Sequence, residues 1–332
     1  MSEQSGVDIL PTILDPATCV KKGLCTVAHG RAVQTHQLYY ELHGTLDASQ
    51  KMLFSLNNSC SGWANQVKHF GRKPDHAVLV FDNRGVGNSD AGPMGIYKTS
   101  EMAKDTVDLL EFLGWTADRS VHLFGVSMGG MISQELVPLQ NLLHHLCLLI
   151  PNRFKSVSFI STKAGDKFDL PPMKGFYMLA RLLTRTVSEE QSITLLMEGL
   201  FPLEFLAEET GGSGGQTQRE VMHAALMERM RKVRKQPVAG VVGQLSAALS
   251  HSCPRPALAR IDQLLQPAKI LVITGDKDQI INPARSIELH RALPHSEYLL
   301  IPRAGHAICS QLPDQFNAIL ERVMDEGNKA FA

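Results

Sequence analysis

One segment constrains the fold more than any other, because it joins a strand pattern to a helix pattern through a glycine-rich turn. An apolar run at 121–124 leads into Gly-Val-Ser-Met-Gly-Gly at 125–130, and helical periodicity starts at Met131. This is the Gly-x-Ser-x-Gly turn in the strand-to-helix context that it requires. The turn is so tight that Ser127 is expected to adopt a strained backbone conformation, with glycines avoiding collisions around it. Its hydroxyl would then project above a sheet.

Short apolar runs rich in β-forming residues recur along the chain, and segments with helical periodicity, such as 100–113 and 283–293, separate most of them. Alternating strands and helices predict a parallel sheet that is covered by helices. Two early runs are expected to add an antiparallel edge. The predicted strands are 24–28 and 38–42 at that edge, followed by 52–56, 77–81, 121–124, 157–160, 270–274 and 298–301.

The strand pattern stops between about Gly165 and Ser250, where the sequence becomes helical and rich in Met and Leu. The stretch Gly-Gly-Ser-Gly-Gly at 211–215 is interpreted as a flexible linker, because no strand precedes it and no Gly-Lys-Ser/Thr follows it, as a phosphate loop would require. The predicted helices of this region are 176–183, 192–201, 221–233 and 239–249.

These boundaries predict a helical cap at 166–252, inserted into an α/β core. The core would consist of residues 21–165 and 253–332, with an N-terminal extension at 1–20. An additional leucine-rich stretch at 137–151 follows the helix after Ser127, and we interpret it as a surface insertion.

The charge balance argues against a highly charged partner. Lys plus Arg and Asp plus Glu both number 33 among 332 residues, so the chain has no net field that would attract nucleic acid or an anionic membrane surface. The composition, 44% hydrophobic and 20% charged, is that of an ordinary globular protein. A small, neutral molecule is therefore the expected partner. The large apolar residues of the helical region, at 176–180 and 195–201, favour a largely apolar one, and the oligomeric state stays open.

The cysteines and the apolar segments indicate an intracellular protein. The six cysteines form no Cys-x-x-Cys pair or zinc-like cluster, so we expect reduced thiols. The polar N-terminus has no signal-like apolar region, which favours a cytoplasmic location. The most hydrophobic stretch, 136–150, is too short and too polar to cross a bilayer, so no stable membrane insertion is expected.

A serine hydroxyl becomes a good nucleophile only when a histidine accepts its proton and a carboxylate orients that histidine. The predicted strand 270–274 is followed by Asp276 and Asp278, and the predicted strand 298–301 is followed by His306. Both positions are strand ends, where the ligand sites of such sheets gather. The order serine, aspartate, histidine predicts a catalytic triad of Ser127 and His306 with one of the two aspartates.

Four motifs give the chain a specific resemblance to the α/β-hydrolase fold family, over all but about its first 20 residues. They are the turn at 125–130, Asp-Asn-Arg-Gly-Val-Gly-Asn-Ser at 82–89, Gly-Asp-Lys-Asp at 275–278 and Ala-Gly-His at 304–306. The resemblance implies an eight-stranded, mostly parallel sheet flanked by helices, with an inserted helical cap. It also implies that Asp278, three residues after Gly275, is the triad acid. The segment 82–89 would be structural, with Asp82 and Arg84 as a buried pair.

An oxyanion needs two N–H donors, and the start of the helix after Ser127 offers the first, from Met128. The resemblance implies that the second comes from the loop after the third strand. This loop, 56–63, carries Asn-Ser where the family usually has His-Gly, and the second donor falls on Ser59.

The expected activity is that of a serine hydrolase, which cleaves an ester, monoglyceride or lactone through an acyl-enzyme on Ser127. The expectation includes no cofactor and no metal. The same fold also serves ligand receptors, cofactor-free lyases and acyltransferases, so these remain as alternatives.

Overall fold

The structure, a computed structural model, contains one eight-stranded sheet. It describes residues 11–12, 14–55, 59–136, 150–165, 172–173, 175, 177, 181, 188–211 and 215–332. The strands are β1 (Cys19–Val27), β2 (His36–Gly44), β3 (Gln50–Ser55), β4 (His76–Phe81), β5 (Val121–Val126), β6 (Phe154–Ile160), β7 (Lys269–Gly275) and β8 (Ser296–Ile301).

The strands lie in the order β1-β2-β4-β3-β5-β6-β7-β8. The pairs β1–β2 and β2–β4 are antiparallel, and every other neighbouring pair is parallel. This arrangement confirms the predicted sheet and its antiparallel edge. All residues of β4 and β5 are buried, since helices cover both faces of the sheet.

The helices number eleven in the part of the chain that the structure describes, and among them no helix is both long and apolar enough to span a membrane. They are α1 (Ala64–Phe70), α2 (Thr99–Phe112), α3 (Met128–Glu135), α4 (Glu189–Leu200), α5 (Leu203–Ala207), α6 (Gln218–Lys232), α7 (Val238–Ser250), α8 (Arg255–Leu265), α9 (Pro283–Ala292), α10 (Ile308–Gln311) and α11 (Pro313–Lys329).

Two hydrophobic clusters lie on opposite faces of the sheet, because successive strand residues point to opposite sides. Leu123 belongs to the cluster under α2, α3, α8 and α9, whereas its neighbour Phe124 belongs to the cluster under α1 and α11. In the second cluster Phe54 stacks on Phe124 at 5.0 Å between ring centroids, and Trp63 lies 4.4 Å from Phe54. These aromatic contacts support the loop that connects β3 to α1.

The helices α4 to α7 form an insert between β6 and β7, which we call the helical insert (residues 188–250). It has a small hydrophobic cluster of its own, around Ile193, Met197 and Phe201. The Gln244 side chain donates to the Arg84 carbonyl at 2.7 Å, which attaches α7 to the core. Tyr177 and Arg181 are helical, but the other residues of the helix expected at 176–183, the centre of the linker at 211–215 and most of the insertion at 137–151 lie outside the described residues.

Asp82 and Arg84 do not form the expected pair. The carboxylate of Asp82 accepts the backbone N–H groups of Cys60 and Asn88, at 2.7 and 2.9 Å. Arg84 instead contacts Asp105 of α2, with 2.7 Å between Nε and Oδ2. The prediction was wrong because the backbone amides of two loops already satisfy Asp82.

Asp105 is the centre of a buried ionic network. It is 2% exposed and contacts Arg31, Arg84 and His36. Burial acts to raise the pKa of its carboxyl, but the His36 hydrogen bond and the charges of the two arginines prevail and lower it. The network ties β2, the loop after β4 and α2 together.

Replacing Asp105 by Asn should lower the free energy of unfolding by about 3 kcal/mol, because both arginines lose a buried counter-charge. The measurement is urea denaturation at pH 7, with Glu111→Gln as the matched control. Glu111 pairs with Arg153 at a site where its side chain is 55% exposed, so its loss should cost about 0.5 kcal/mol or less. Equal effects of the two substitutions would contradict the assignment.

The same network sets a pH dependence. The lowered pKa of Asp105 gives stability that is fully present above the pKa of an unfolded aspartate, about 4, and is lost as the pH falls through the folded-state pKa. The difference between wild type and Asp105→Asn should therefore stay constant from pH 8 to pH 5 and shrink only below about pH 4.

Candidate active site

The turn at 125–130 has the strained backbone that its sequence predicts. Ser127 lies between β5 and α3 with φ 56° and ψ −122°, a region that L-residues rarely adopt. A Cβ on Gly125 would lie 2.4 Å from Ser133 Oγ, and one on Gly130 would lie 2.6 Å from the Thr162 side chain. Only glycine fits these two positions, so α3 can start immediately at Met128, three residues earlier than its periodicity predicts.

Backbone hydrogen bonds hold Ser127 in place, and the residue is partly exposed. Its N–H donates to the Ile160 carbonyl at 2.9 Å, and its carbonyl accepts the Thr162 hydroxyl at 2.7 Å. Met128 is the first residue of α3, so its N–H has no acceptor within the helix and lies at the positive end of the helix dipole. This is a position at which a developing anion would be stabilised.

The loops after β7 and β8 are joined by backbone hydrogen bonds. The Asp276 N–H donates to the Ile301 carbonyl at 3.1 Å, and the Lys277 N–H donates to the Ala304 carbonyl at 2.9 Å. A Cβ on Gly275 would lie 2.2 Å from the same Ala304 carbonyl oxygen, so glycine permits this close approach. The two loops therefore have a fixed relation to each other.

This relation brings Asp278 and His306 together. The distance between His306 Nδ1 and Asp278 Oδ2 is 2.8 Å, and both residues are 6% exposed. The second carboxylate oxygen of Asp278 accepts the N–H groups of Ile280 and Ile281, at 2.8 and 2.9 Å. Asp276 is exposed, so of the two aspartates left open by the residue pattern it is Asp278 that contacts the histidine.

The contact to Asp278 defines the tautomer of His306. An ionised carboxylate only accepts hydrogen bonds, so Nδ1 carries the proton and Nε2 is the basic nitrogen. The neighbouring Gly305 N–H donates to Gln311 Oε1 at 2.8 Å, which fixes the loop. Among the described side chains, no hydrogen bond joins the Ser127 hydroxyl to His306. Such bonds are often long without substrate and tighten when it binds.

Ser59 lies at the same edge of the sheet as Ser127, because β3 is the direct neighbour of β5. It precedes a 3₁₀ turn (Cys60–Trp63), and its hydroxyl accepts the Ser61 N–H at 3.2 Å. The next N–H, from Cys60, donates to Asp82, and burial raises the pKa of that carboxyl. The three residues before Ser59 lie outside the described part of the chain.

One cluster was not visible in the sequence. Antiparallel pairing sets Cys19 opposite His43, so one donor atom each of Cys19, Glu41 and His43 lies within 4.8 Å of the others. Such a trio could contribute metal ligands, yet both nitrogens of His43 already have protein partners. Nδ1 lies 2.9 Å from the Thr18 hydroxyl, and Nε2 lies 3.0 Å from a Glu41 oxygen. Glu41 and His43 are thus part of a buried hydrogen-bond network, whereas the Cys19 thiol donates to the Lys21 carbonyl.

Comparisons with known proteins agree with this architecture. The family model for the alpha/beta hydrolase fold matches residues 42–311. A relative from Stutzerimonas stutzeri, named "Putative carbamate hydrolase RutD", is 25% identical over 288 residues, which cover 85% of this chain and 95% of the relative.

Two solved structures share the fold. A thermophilic esterase from Thermogutta terrifontis superposes with a TM-score of 0.64 at 20% identity, covering 92% of this chain and 99% of its own. The enol-lactonase from Burkholderia xenovorans LB400 superposes with a TM-score of 0.65 at 22% identity, covering 87% and 97%. The family match extends from β2 to the end of α10 and includes all the loops described above. The chain therefore belongs to the α/β-hydrolase family.

Proposed function

We propose that this protein is a serine hydrolase that cleaves a carboxylic ester-type bond through an acyl-enzyme on Ser127. The observation that carries the proposal is the 2.8 Å contact between Asp278 and His306, at the sheet edge where the strained turn presents Ser127. A strained serine, a basic imidazole nitrogen and an orienting carboxylate are the three parts that nucleophilic acyl transfer needs.

The proposed reaction begins with attack of Ser127 Oγ on the substrate carbonyl carbon, while His306 Nε2 takes the hydroxyl proton. Asp278 stabilises the resulting imidazolium without becoming protonated. Collapse of the tetrahedral intermediate breaks the bond to the leaving group, which receives the proton from His306. A water molecule then attacks the acyl-enzyme by the same route, and Ser127 regains its proton.

The negative charge of each tetrahedral intermediate would be stabilised by the N–H groups of Met128 and Ser59. Met128 contributes a helix N-terminus and Ser59 contributes the loop after β3, and the two lie at the same edge of the sheet because these strands are neighbours. Donors aimed at the developing oxyanion are usually the largest single contribution to acyl transfer.

The helical insert is proposed to act as the cap that limits access to Ser127. The N–H of Ala307, next to His306, donates to the Leu200 carbonyl at the end of α4, at 3.2 Å. Met197 and Phe201 are buried inside the insert, so they pack its own cluster. The activities in the names of the similar proteins, on carbamates, esters and lactones, all begin at a carbonyl carbon and favour the same substrate class.

Covalent labelling tests the nucleophile. A fluorophosphonate probe should modify the wild-type protein once, and Ser127→Ala should abolish both the labelling and the turnover of p-nitrophenyl esters of graded chain length. Ser133→Ala is the matched control. This buried serine of α3 donates its hydroxyl to the Gly129 carbonyl, so its loss should leave labelling intact. Labelling that persists in Ser127→Ala would favour the receptor or lyase alternatives.

The two aspartates of one loop provide an internal comparison for the acid. Asp278→Asn keeps the size of the side chain but favours the wrong histidine tautomer, so kcat should fall by about 10,000-fold. Asp276→Asn, at the exposed position two residues earlier, should change kcat by less than about twofold. Steady-state rates on p-nitrophenyl acetate measure both, and equal losses would refute the assignment.

The oxyanion donor can be removed without altering the local backbone angle. Ser59 has φ −55°, which proline also adopts, so Ser59→Pro deletes the N–H, together with the hydroxyl that accepts the Ser61 N–H. Ser59→Ala deletes the hydroxyl only and isolates the effect of the N–H. The proline substitution should lower kcat by about 100- to 1,000-fold at little change in KM. Ser59→Ala keeps the N–H, and a similar loss in that variant would instead place the donor on the hydroxyl.

A further inference from the structure

Arg229, in the last turns of α6, holds a charge that none of the described residues neutralises. Its Nη2 atom is shielded from solvent and has no hydrogen-bond partner, although the residue as a whole is partly exposed. Among the described residues, no carboxylate forms an ion pair with Arg229. The other arginine of α6 that approaches the insert's helices, Arg219, pairs with Glu198. Arg229 therefore differs from Arg219 in lacking a counter-ion among the described residues.

The groups that interact electrostatically with Arg229 belong to the candidate active site. They are Asp82, Cys60 and Cys309. Cys60 directly follows the proposed oxyanion donor Ser59, and Cys309 lies three residues after His306, in α10. The guanidinium of the helical insert thus lies near enough for the charges of these two loops to act on it.

Asp82 does not serve as the missing counter-ion. Its two oxygens accept the N–H groups of Cys60 and Asn88, and no atom of Arg229 comes within ion-pair distance of it. Burial lowers the pKa of Arg229, but a guanidinium keeps its proton in proteins. A shielded guanidinium nitrogen without a partner is costly, so a ligand that supplies an anion would gain a charge-assisted hydrogen bond there.

A narrow cavity beside Ser59 also supports an anion-binding site at the end of α6. Its walls include Ser59, Cys60 and Asp82 on the core side, and Lys232 and Arg234 on the side of the insert. The basic residues follow Arg229 by three and five positions. Lys232 pairs with Glu228, whereas Arg234 has no ion pair among the described residues, so the end of α6 presents one further positive charge toward the loop after β3.

We propose that Arg229 binds an anionic group of the substrate, so that the hydrolase acts on esters or lactones that carry a carboxylate. The assignment rests on the proposed function, and it narrows the substrate from an apolar ester to one with an acidic end. A planar guanidinium matches a carboxylate with two parallel hydrogen bonds, which orients the scissile carbonyl as well as binding it. The reaction at Ser127 is unchanged.

The kinetic test compares mono-p-nitrophenyl adipate with p-nitrophenyl hexanoate, since both have six-carbon acyl groups and differ in the terminal carboxylate. Wild type should prefer the adipate ester, and Arg229→Gln should lower kcat/KM for this ester alone by about 10- to 100-fold. The matched control is Arg231→Gln, an exposed arginine of the same helix, which should preserve the preference. A wild type that prefers the hexanoate, or an equal loss on both esters, would overturn the proposal.

A binding test separates this inference from the hydrolase proposal. Monomethyl adipate should bind Ser127→Ala protein in a calorimeter, and adding Arg229→Gln should weaken that binding by about 10- to 100-fold. Binding that depends on Arg229 in a protein without Ser127-dependent labelling would support the anion site and reject the hydrolase. Absence of binding, or binding that Arg229→Gln does not alter, would overturn the anion site itself.

Folding of the variants is checked by thermal melting. Arg229→Met keeps an unbranched apolar stem of similar length to the aliphatic part of arginine and removes the unpaired charge, so its Tm should equal or exceed that of wild type. Arg229→Lys should keep part of the preference for the acidic ester, because it retains the charge but not the planar fork. A Tm that falls by about 5 °C or more in Arg229→Met would show a structural role and contradict the proposal.

Discussion

The backbone of Ser127 lies where L-residues rarely do, and the centre of the sheet is built to hold it there. A positive φ of this kind costs on the order of 1–3 kcal/mol, and it persists only when the surroundings determine it. Here the surroundings are β5, whose residues are all buried, and the first turn of α3, which packs against the same core. The Thr162 and Ile160 contacts fix both peptide groups of Ser127. Because the serine is held from its backbone, its side chain remains available for chemistry.

The positions of the candidate histidine and acid depend on the same sheet, but through hydrogen bonds between loops. Asp278 and His306 lie on loops that emerge from adjacent strands, and backbone hydrogen bonds between these loops set their separation. The contact between the two side chains therefore follows from strand pairing more than from the side chains themselves. The four loops that carry the proposed machinery leave β3, β5, β7 and β8 at one edge, which is where parallel strands place their carboxyl ends.

This dependence explains which parts could be predicted from the sequence. Strand ends are visible as apolar runs followed by polar residues, so the positions of Ser127, Asp278 and His306 relative to the sheet follow from local patterns. The helix α11 is visible in the same way, since Phe316, Leu320 and Met324 recur at helical spacing. The boundaries of the proposed cap remain a prediction.

The features that the sequence could not reveal all depend on contacts between distant segments. Asp82 and Arg84 are two residues apart, yet they take partners from α2 and from two loops, so proximity in the chain was misleading. The grouping of Cys19 with His43 requires the register of β1 on β2. Arg229 is one of three basic residues in the last turns of α6, and only the fold distinguishes it from Arg231.

The charges beside Ser59 have to be balanced for an oxyanion to form there. Asp82 fixes the loop by accepting the Cys60 N–H, but a carboxylate so near the proposed oxyanion position would oppose the developing negative charge. Burial raises the pKa of Asp82 and so reduces this penalty, and the guanidinium of Arg229 opposes it further. The carboxylate of an acidic substrate would neutralise Arg229 and so restore part of the repulsion between Asp82 and the developing oxyanion. Such a substrate therefore has to hold its carboxylate farther from Ser59 than its scissile carbonyl. The length of the spacer between these two groups is then the property that the site selects, and it is set by the distance from the end of α6 to the strained turn at Ser127.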